Sequence, residues 1–187
     1  MGRSFSNVAG FDDGPFERAT RGDVLLVGAV CARTRLDGVV TGRVRKDGAN
    51  ATARIAALVR GSRFDGHVQA VLLNGIAVGG FNVVDIAALA EQLRRPVLVV
   101  ARRPPRMQLI HDALKALPGG ARKWSLIERA GPMEPLDGVH VQRAGLTREE
   151  AHALLAATTL HGNLPEPLRL AHLIAGGLVT GTSHGRA

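Results

Sequence analysis

The feature that most constrains this chain is a change of period. From Asp23 to Ala32 the residues form an unbroken apolar run, and from Leu36 to Lys46 apolar and polar residues alternate. The first pattern is that of a buried strand and the second that of a half-exposed one; Arg33-Thr34-Arg35 between them is short enough for a hairpin. A shorter apolar run, Asn7 to Phe11, stands ahead of both and ends at Asp12-Asp13-Gly14-Pro15, a turn signal. Three strands therefore open the chain.

Beyond Lys46 the period becomes helical. Asn50 can cap a helix that turns Ile55, Leu58 and Val59 inward and stops at Gly61 or Ser62. The pattern then predicts a strand at Val68 to Leu73, a helix at about Asn82 to Leu93, a strand at Pro96 to Ala101 and a helix at Met107 to Leu117. A less regular stretch through Trp124 to Ala130 leads to a late strand at Val139 to Val141. Thr147 and Glu150 form the capping box of a helix reaching about Leu160, Pro165 opens a final helix, and Gly181 to Ala187 reads as a loose tail. With no repeat and no long linker, the 187 residues are expected to form one domain spanning 1–187. Antiparallel strands feeding βαβ units imply an α/β fold, a mixed sheet with helices on both faces.

Composition narrows the partners. Apolar residues make up 45% of the chain but aromatic ones only 3%, with no Tyr, so the core is aliphatic and a platform of stacked rings for single strands is not expected. Lys and Arg number 24 against 16 Asp and Glu, and a net charge of +8 favours a polyanionic partner, although an Arg-rich, Ala-rich composition alone produces such an excess. Cys31 is the sole cysteine, which removes disulfides and Cys-based zinc sites and fits a reducing cytoplasm. No apolar stretch approaches the ~20 residues of a membrane span, and the N-terminus lacks a charged-then-apolar signal pattern.

Several chemistries are missing from the sequence. Its seven histidines make no His-x-x-x-His pair, and His172 falls on an apolar helical stretch as a core or edge histidine. There is no Walker lysine loop, no dinucleotide fingerprint and no serine-hydrolase elbow.

What remains is acidic. In α/β sheets, ligands and metals gather beyond the carboxyl ends of strands. Asp12 and Asp13 end the first strand there, and Asn74-Gly75 ends the strand after the first helix. Side chains alternate across a strand, so at most one of the two aspartates continues its outward ladder. If those strands are neighbours, Asp12 and Asn74 lie together, and carboxylates so placed suit Mg²⁺ or Mn²⁺ acting on a phosphodiester. The competing reading is a plain turn at Asp12-Asp13-Gly14-Pro15. Asp85 reads either as a further acid or as a first-turn acid favoured by the helix dipole. Arg94-Arg95, Arg102, Arg103, Arg106 and Arg122-Lys123 offer a phosphate-tracking patch if their element ends converge. Phe16 is the aromatic placed to stack on a displaced base, unless it turns back into the core.

The strings GFDDGPF at Gly10–Phe16, GGFNVVDI at Gly79–Ile86, RAGPM at Arg129–Met133 and LPEPLRLAHLIA at Leu164–Ala175 resemble the DUF99 family, also described as endonuclease dU. That family looks like a relative of endonuclease V within the ribonuclease H-like fold. The resemblance covers nearly the whole chain, and LPEPLR is similar to a stretch near the end of endonuclease V. It implies a Mg²⁺- or Mn²⁺-dependent endonuclease whose partner is DNA with deaminated bases, deoxyuridine favoured. Carried over by position, Asp12 matches the first-strand metal aspartate. Asn74 falls where the second aspartate would stand, the helical glutamate has no counterpart near Ala49–Ala53, and the late histidine is out of register, with His140 a few residues before Ala144-Gly145.

The expected site is thus Asp12 and Asp13 on the metal, Asp85 assisting, Asn74 orienting water or phosphate, and Arg102, Arg103, Arg106 and Phe16 on the nucleic acid. Asp47 is a further substitute acid. The alternative is a non-catalytic nucleic-acid-binding protein on a degenerate nuclease scaffold.

Overall fold

The computed structural model describes residues 3–183; Met1, Gly2 and residues 184–187, the last part of the expected tail, lie outside them. Nine strands and six helices are present among the described residues. Strands β1 (Asn7–Asp13), β2 (Asp23–Ala32) and β3 (Arg35–Arg45) form an antiparallel meander. Strands β4 (Ala70–Asn74) and β7 (Val97–Ala101) run parallel to β1, and β9 (Val139–Ala144) returns antiparallel to β7. With β8 (Glu134–Leu136) at the far edge, the seven-stranded mixed sheet has the order β3-β2-β1-β4-β7-β9-β8. The short strands β5 (Ala77–Val78) and β6 (Asn82–Val83) make a separate hairpin.

Alternation along the central strands sends side chains to two cores. Ala9, Phe11, Val71, Leu73, Val97 and Val99 face α1 (Ala51–Arg60) and α2 (Ile86–Leu93). Val8, Ala70, Leu72, Leu98 and Val100 face the other way, toward α5 (Arg148–Thr158) and α6 (Glu166–Thr180). Helices therefore cover both faces, which is why the central strands read as continuous apolar runs. Helices α3 (Met107–Lys115) and α4 (Gly120–Ala130) pack on each other through a smaller cluster around Leu114 and Ile127, with His111 and Trp124 in ring contact. No helix among the described residues is long and apolar enough to cross a membrane.

Four local expectations are corrected. Asn50 makes no side-chain cap: its Oδ1 accepts from Arg45 N and Asn82 Nδ2, while Asn82 Oδ1 reaches across to accept Ala51 N at the start of α1. Asn82 and Val83 belong to the hairpin, so α2 begins only after Asp85. Trp124 to Ala130 is regular helix, part of α4. Asp12 and Asp13 are the last residues of β1, not a turn. The Thr147–Glu150 capping box is formed as expected.

Candidate functional site

The register of β1 against β4 builds the site. Phe11 stands opposite Leu73 in the parallel pair, so the following residues, Asp12 and Asn74, leave the sheet side by side on the same face. Asn74 Nδ2 donates to Asp12 Oδ2 at 2.9 Å. Asp12 is buried to 4% exposure, and its other oxygen accepts the backbone N–H of Asp13 at 2.9 Å.

Asp13 points to the opposite face, as alternation requires. Its Oδ2 accepts Gly79 N at 2.8 Å, which ties the end of β1 to the Gly79-Gly80 turn of the hairpin. Burial, and then the adjacent Asp12 charge, push the Asp13 carboxyl up to about 6. Asp47 holds the same turn from the other side, its Oδ1 accepting Phe81 N at 2.8 Å. Lys123 is buried rather than part of a surface patch, with its Nζ donating to the Asp47 carbonyl, and burial lowers its pKa.

The third member of the site comes from α6. His172 Nδ1 lies 2.9 Å from Asp12 Oδ2, the oxygen that also receives Asn74. A carboxylate can only accept, so the Nδ1 carries the proton and Nε2 is the free ring nitrogen. His172 is half-buried, an edge histidine as expected; its contact with Asp12 is what the sequence did not show. Helix α6 reaches so close because Gly10 offers no side chain: a Cβ there would stand 2.5 Å from the backbone carbon of Pro167. Leu168, Ala171 and Ala175 form its buried stripe, and His172 at the stripe's edge falls over the strand ends. Glu166, buried at the start of α6, is held by Arg169 through two bonds of 2.8 Å. The signal available in the sequence was that placement, a histidine beside a small-residue stripe on a helix that must cross β1.

Asp12, Asp13, Asn74 and His172 line one open cavity of about 500 Å³, together with Phe16 and Gly176. Phe16 does not turn back into the core; it is 36% exposed, with Lys46 Nζ 5.9 Å from its ring centre. Asp85 is placed elsewhere. It caps α2 by accepting Ala88 N at 3.1 Å and pairs with Arg129 at 3.0 Å, so its carboxylate serves the helix end rather than this cavity. Arg102, Arg103 and Arg106 are exposed together between β7 and α3, away from the Asp12 cavity, whereas Arg95 is paired with Asp65. Among the described residues, no group of three or more His, Cys, Asp or Glu side chains is gathered to hold a metal ion.

The chain is similar to known proteins in sequence and in fold. The sequence profile of the family described as endonuclease dU matches residues 4–179. A UPF0215 protein of Deinococcus radiodurans is 56% identical over 182 residues, covering 97% of this chain and 93% of its own. The crystal structure of a protein of unknown function from Archaeoglobus fulgidus superposes with a TM-score of 0.87 at 33% identity, covering 94% of this chain and 99% of that one. Endonuclease V of Ciona intestinalis, in complex with a 24mer DNA containing an inosine followed by a ribo-adenosine, superposes with a TM-score of 0.56 at 12% identity, covering 89% and 83%. At that identity the likeness is one of fold: the mixed sheet is similar to that of endonuclease V. With a matching profile over nearly all of its length, the chain belongs to the endonuclease dU family.

Proposed function

We propose that the chain is a divalent-metal-dependent endonuclease that cuts DNA carrying deaminated bases, deoxyuridine foremost. The observation that carries this reading is Asp12, a buried carboxylate at the end of a central strand, touched by Asn74 and His172 and opening on a cavity of about 500 Å³. The family's description, endonuclease dU, supports it, as does the fold shared with an endonuclease V solved on inosine-containing DNA.

The donor chemistry fits Mg²⁺ or Mn²⁺. Asp12 and Asp13 are adjacent carboxylates, and burial, followed by the neighbouring Asp12 charge, raises the Asp13 pKa to about 6. Asp12 would hold the ion, and Asp13, which leaves the strand on the other face but borders the same cavity, would join it, with the Asn74 carbonyl oxygen as a neutral donor and substrate phosphate and water completing a shell that the protein alone does not fill. When bound, the ion supplies Lewis-acid stabilisation of phosphate oxygens and a more acidic water. The chain's own groups do the rest. His172, oriented by Asp12, presents Nε2 to take or deliver a proton. Asn74 positions a phosphate oxygen or water, and Phe16 with Lys46 flanks a nucleotide beside the cleaved bond.

The test is cutting of oligonucleotides bearing one deoxyuridine or deoxyinosine, in Mg²⁺ or Mn²⁺, by wild type and Asp12→Ala. Loss of cutting in the variant supports the reading, and equal cutting by both proteins removes Asp12 from the mechanism.

One observation favours a second reading, non-catalytic nucleic-acid binding. Asp12 already accepts from three protein donors, and its neighbour Asn74 carries no charge. That reading predicts binding that weakens steeply with salt and yields no product. An inert wild type in which Asn74→Asp creates nicking would favour it.

A further inference from the structure

Helix α4 turns three residues inward, Gly120, Lys123 and Ile127, and the middle one is a lysine. An ammonium at 4% exposure is costly to desolvate, and burial lowers its pKa although the Asp47 charge works against that shift. An apolar side chain would fill the position at lower cost, so what Lys123 gains must come from the contact it makes. Its Nζ donates to the main-chain carbonyl of Asp47, in the turn between β3 and α1, which no apolar residue could do. Asp47 sits in the left-handed region at φ 51° and grips the neighbouring turn on both sides of Gly80. Its N–H donates to Gly79 O at 2.8 Å, and its Oδ1 accepts Phe81 N at 2.8 Å. Gly79 N in turn donates to Asp13 Oδ2 at 2.8 Å, the bond that reaches the Asp13 carboxylate from a distant segment. A chain of hydrogen bonds therefore runs from α4 to the end of β1.

Asp13 needs such a support. It leaves β1 on the face opposite Asp12, and the Gly79 N–H is what fixes its carboxylate at the rim of the Asp12 cavity. The turn that supplies this N–H does not hold itself. Gly79 and Gly80 both have positive φ, 57° and 81°, and glycine has the most backbone freedom to lose. Asp47 clamps the turn, and Lys123 anchors Asp47 to a helix. We propose that Lys123 is a positioning residue for the metal site, holding the Asp13 carboxylate in place through Asp47 and the Gly79–Phe81 turn. Groups that orient a metal ligand without touching the ion are worth about 10–100-fold in metal affinity. The inference rests on the reading of Asp12 and Asp13 as metal ligands, and it adds the element outside the sheet on which their geometry depends. Helix α4 also walls, with Ile127 and Glu128, an apolar cavity of about 670 Å³ that Gly75 borders, while Asn74 borders the Asp12 cavity. Lys123 thus ties the acidic site to the helix of the neighbouring chamber.

Two measurements test it. In the metal-free protein, hydrogen exchange of the Gly79 amide reports its bond to Asp13, and Lys123→Met is expected to lose that protection while the amides of β4 and α2 exchange as in wild type. In the second, Mn²⁺ uptake is read from the EPR signal of the free ion for wild type, Lys123→Met, Asp13→Asn and the double variant. Lys123→Met is expected to weaken Mn²⁺ binding by about tenfold and to add nothing on the Asp13→Asn background, because both changes remove the same support. A packing role would instead lower the melt and leave the two losses additive. Unchanged Gly79 exchange or unchanged Mn²⁺ affinity in a folded Lys123→Met, additive losses, or an Asp13→Asn that binds Mn²⁺ as wild type does, each overturns the assignment and leaves the reading of Asp12 standing. Should Lys123→Met fail to fold, Asp47→Gly keeps the left-handed backbone and its carbonyl, removes the bond to Phe81 N, and is held to the same outcomes. Wild type that takes up no Mn²⁺ overturns the metal reading and the assignment with it.

Discussion

Gly10 lies directly beneath Pro167, so close that a methyl group on Gly10 would sit 2.5 Å from the backbone of α6. The glycine sets the distance between strand and helix, and that distance brings His172 to Asp12.

Gly10→Ala is expected to push α6 outward. Overpacking of this kind costs about 1–3 kcal/mol, read as a Tm lowered by about 2–4 °C for each kcal/mol. Because the helix moves with its histidine, deoxyuridine-directed cutting should fall further than stability does. Unchanged melting and cutting would show that α6 accommodates the methyl group.

His172 can be separated from the fold, because it is partly exposed and stands outside the buried stripe of α6. His172→Ala is expected to lower cutting by about 100-fold or more, the range of general acid–base catalysis, with little change in the thermal melt. Cutting at the wild-type rate would remove the imidazole from the reaction.

Asp13 is held in a place that disfavours its charge. Its folded pKa of about 6 lies above the ordinary 3.8, so its contribution to stability is complete below 3.8 and is lost as pH rises through about 6. Asp13→Asn keeps an acceptor for Gly79 N and removes the buried charge. In EDTA the variant should melt higher than wild type at pH 7, by about 1–3 kcal/mol, and the gap should close below pH 4. Equal melts at pH 7 would mean that the carboxylate is compensated in solution.

Glu150 runs in the opposite direction. The side-chain hydrogen bonds from Arg3 and the backbone N–H of Thr147 hold its carboxyl down at about 2, against an ordinary 4.5. The stability this supplies is present above 4.5 and lost as pH falls through about 2. Arg3→Met should therefore lower the melt at neutral pH and approach wild type in acid. A difference that does not change with pH would assign the loss to packing instead.

The sequence carried the β1–β2–β3 meander because its periods are strong and local, and β2 spans the apolar run from Asp23 to Ala32. The meeting of Asp12 and Asn74 was also legible, since strand neighbours with residues at matching carboxyl ends have little freedom. Helix α4 was not. It buries only Gly120, Lys123 and Ile127, too narrow a face to leave a stripe, and Gly119-Gly120 before it reads as a break. Asn50 misled for another reason: the amide that serves the start of α1 comes from Asn82, far along the chain, and local capping rules do not see it. His172 was hidden in the same way, because only the approach of α6 to β1 at Gly10 reveals what it touches.

Asn74 and Gly75 are consecutive, about 3.8 Å apart from Cα to Cα, yet each borders a different cavity. A ligand that tilted that single peptide from one side would therefore change the outline of the cavity on the other.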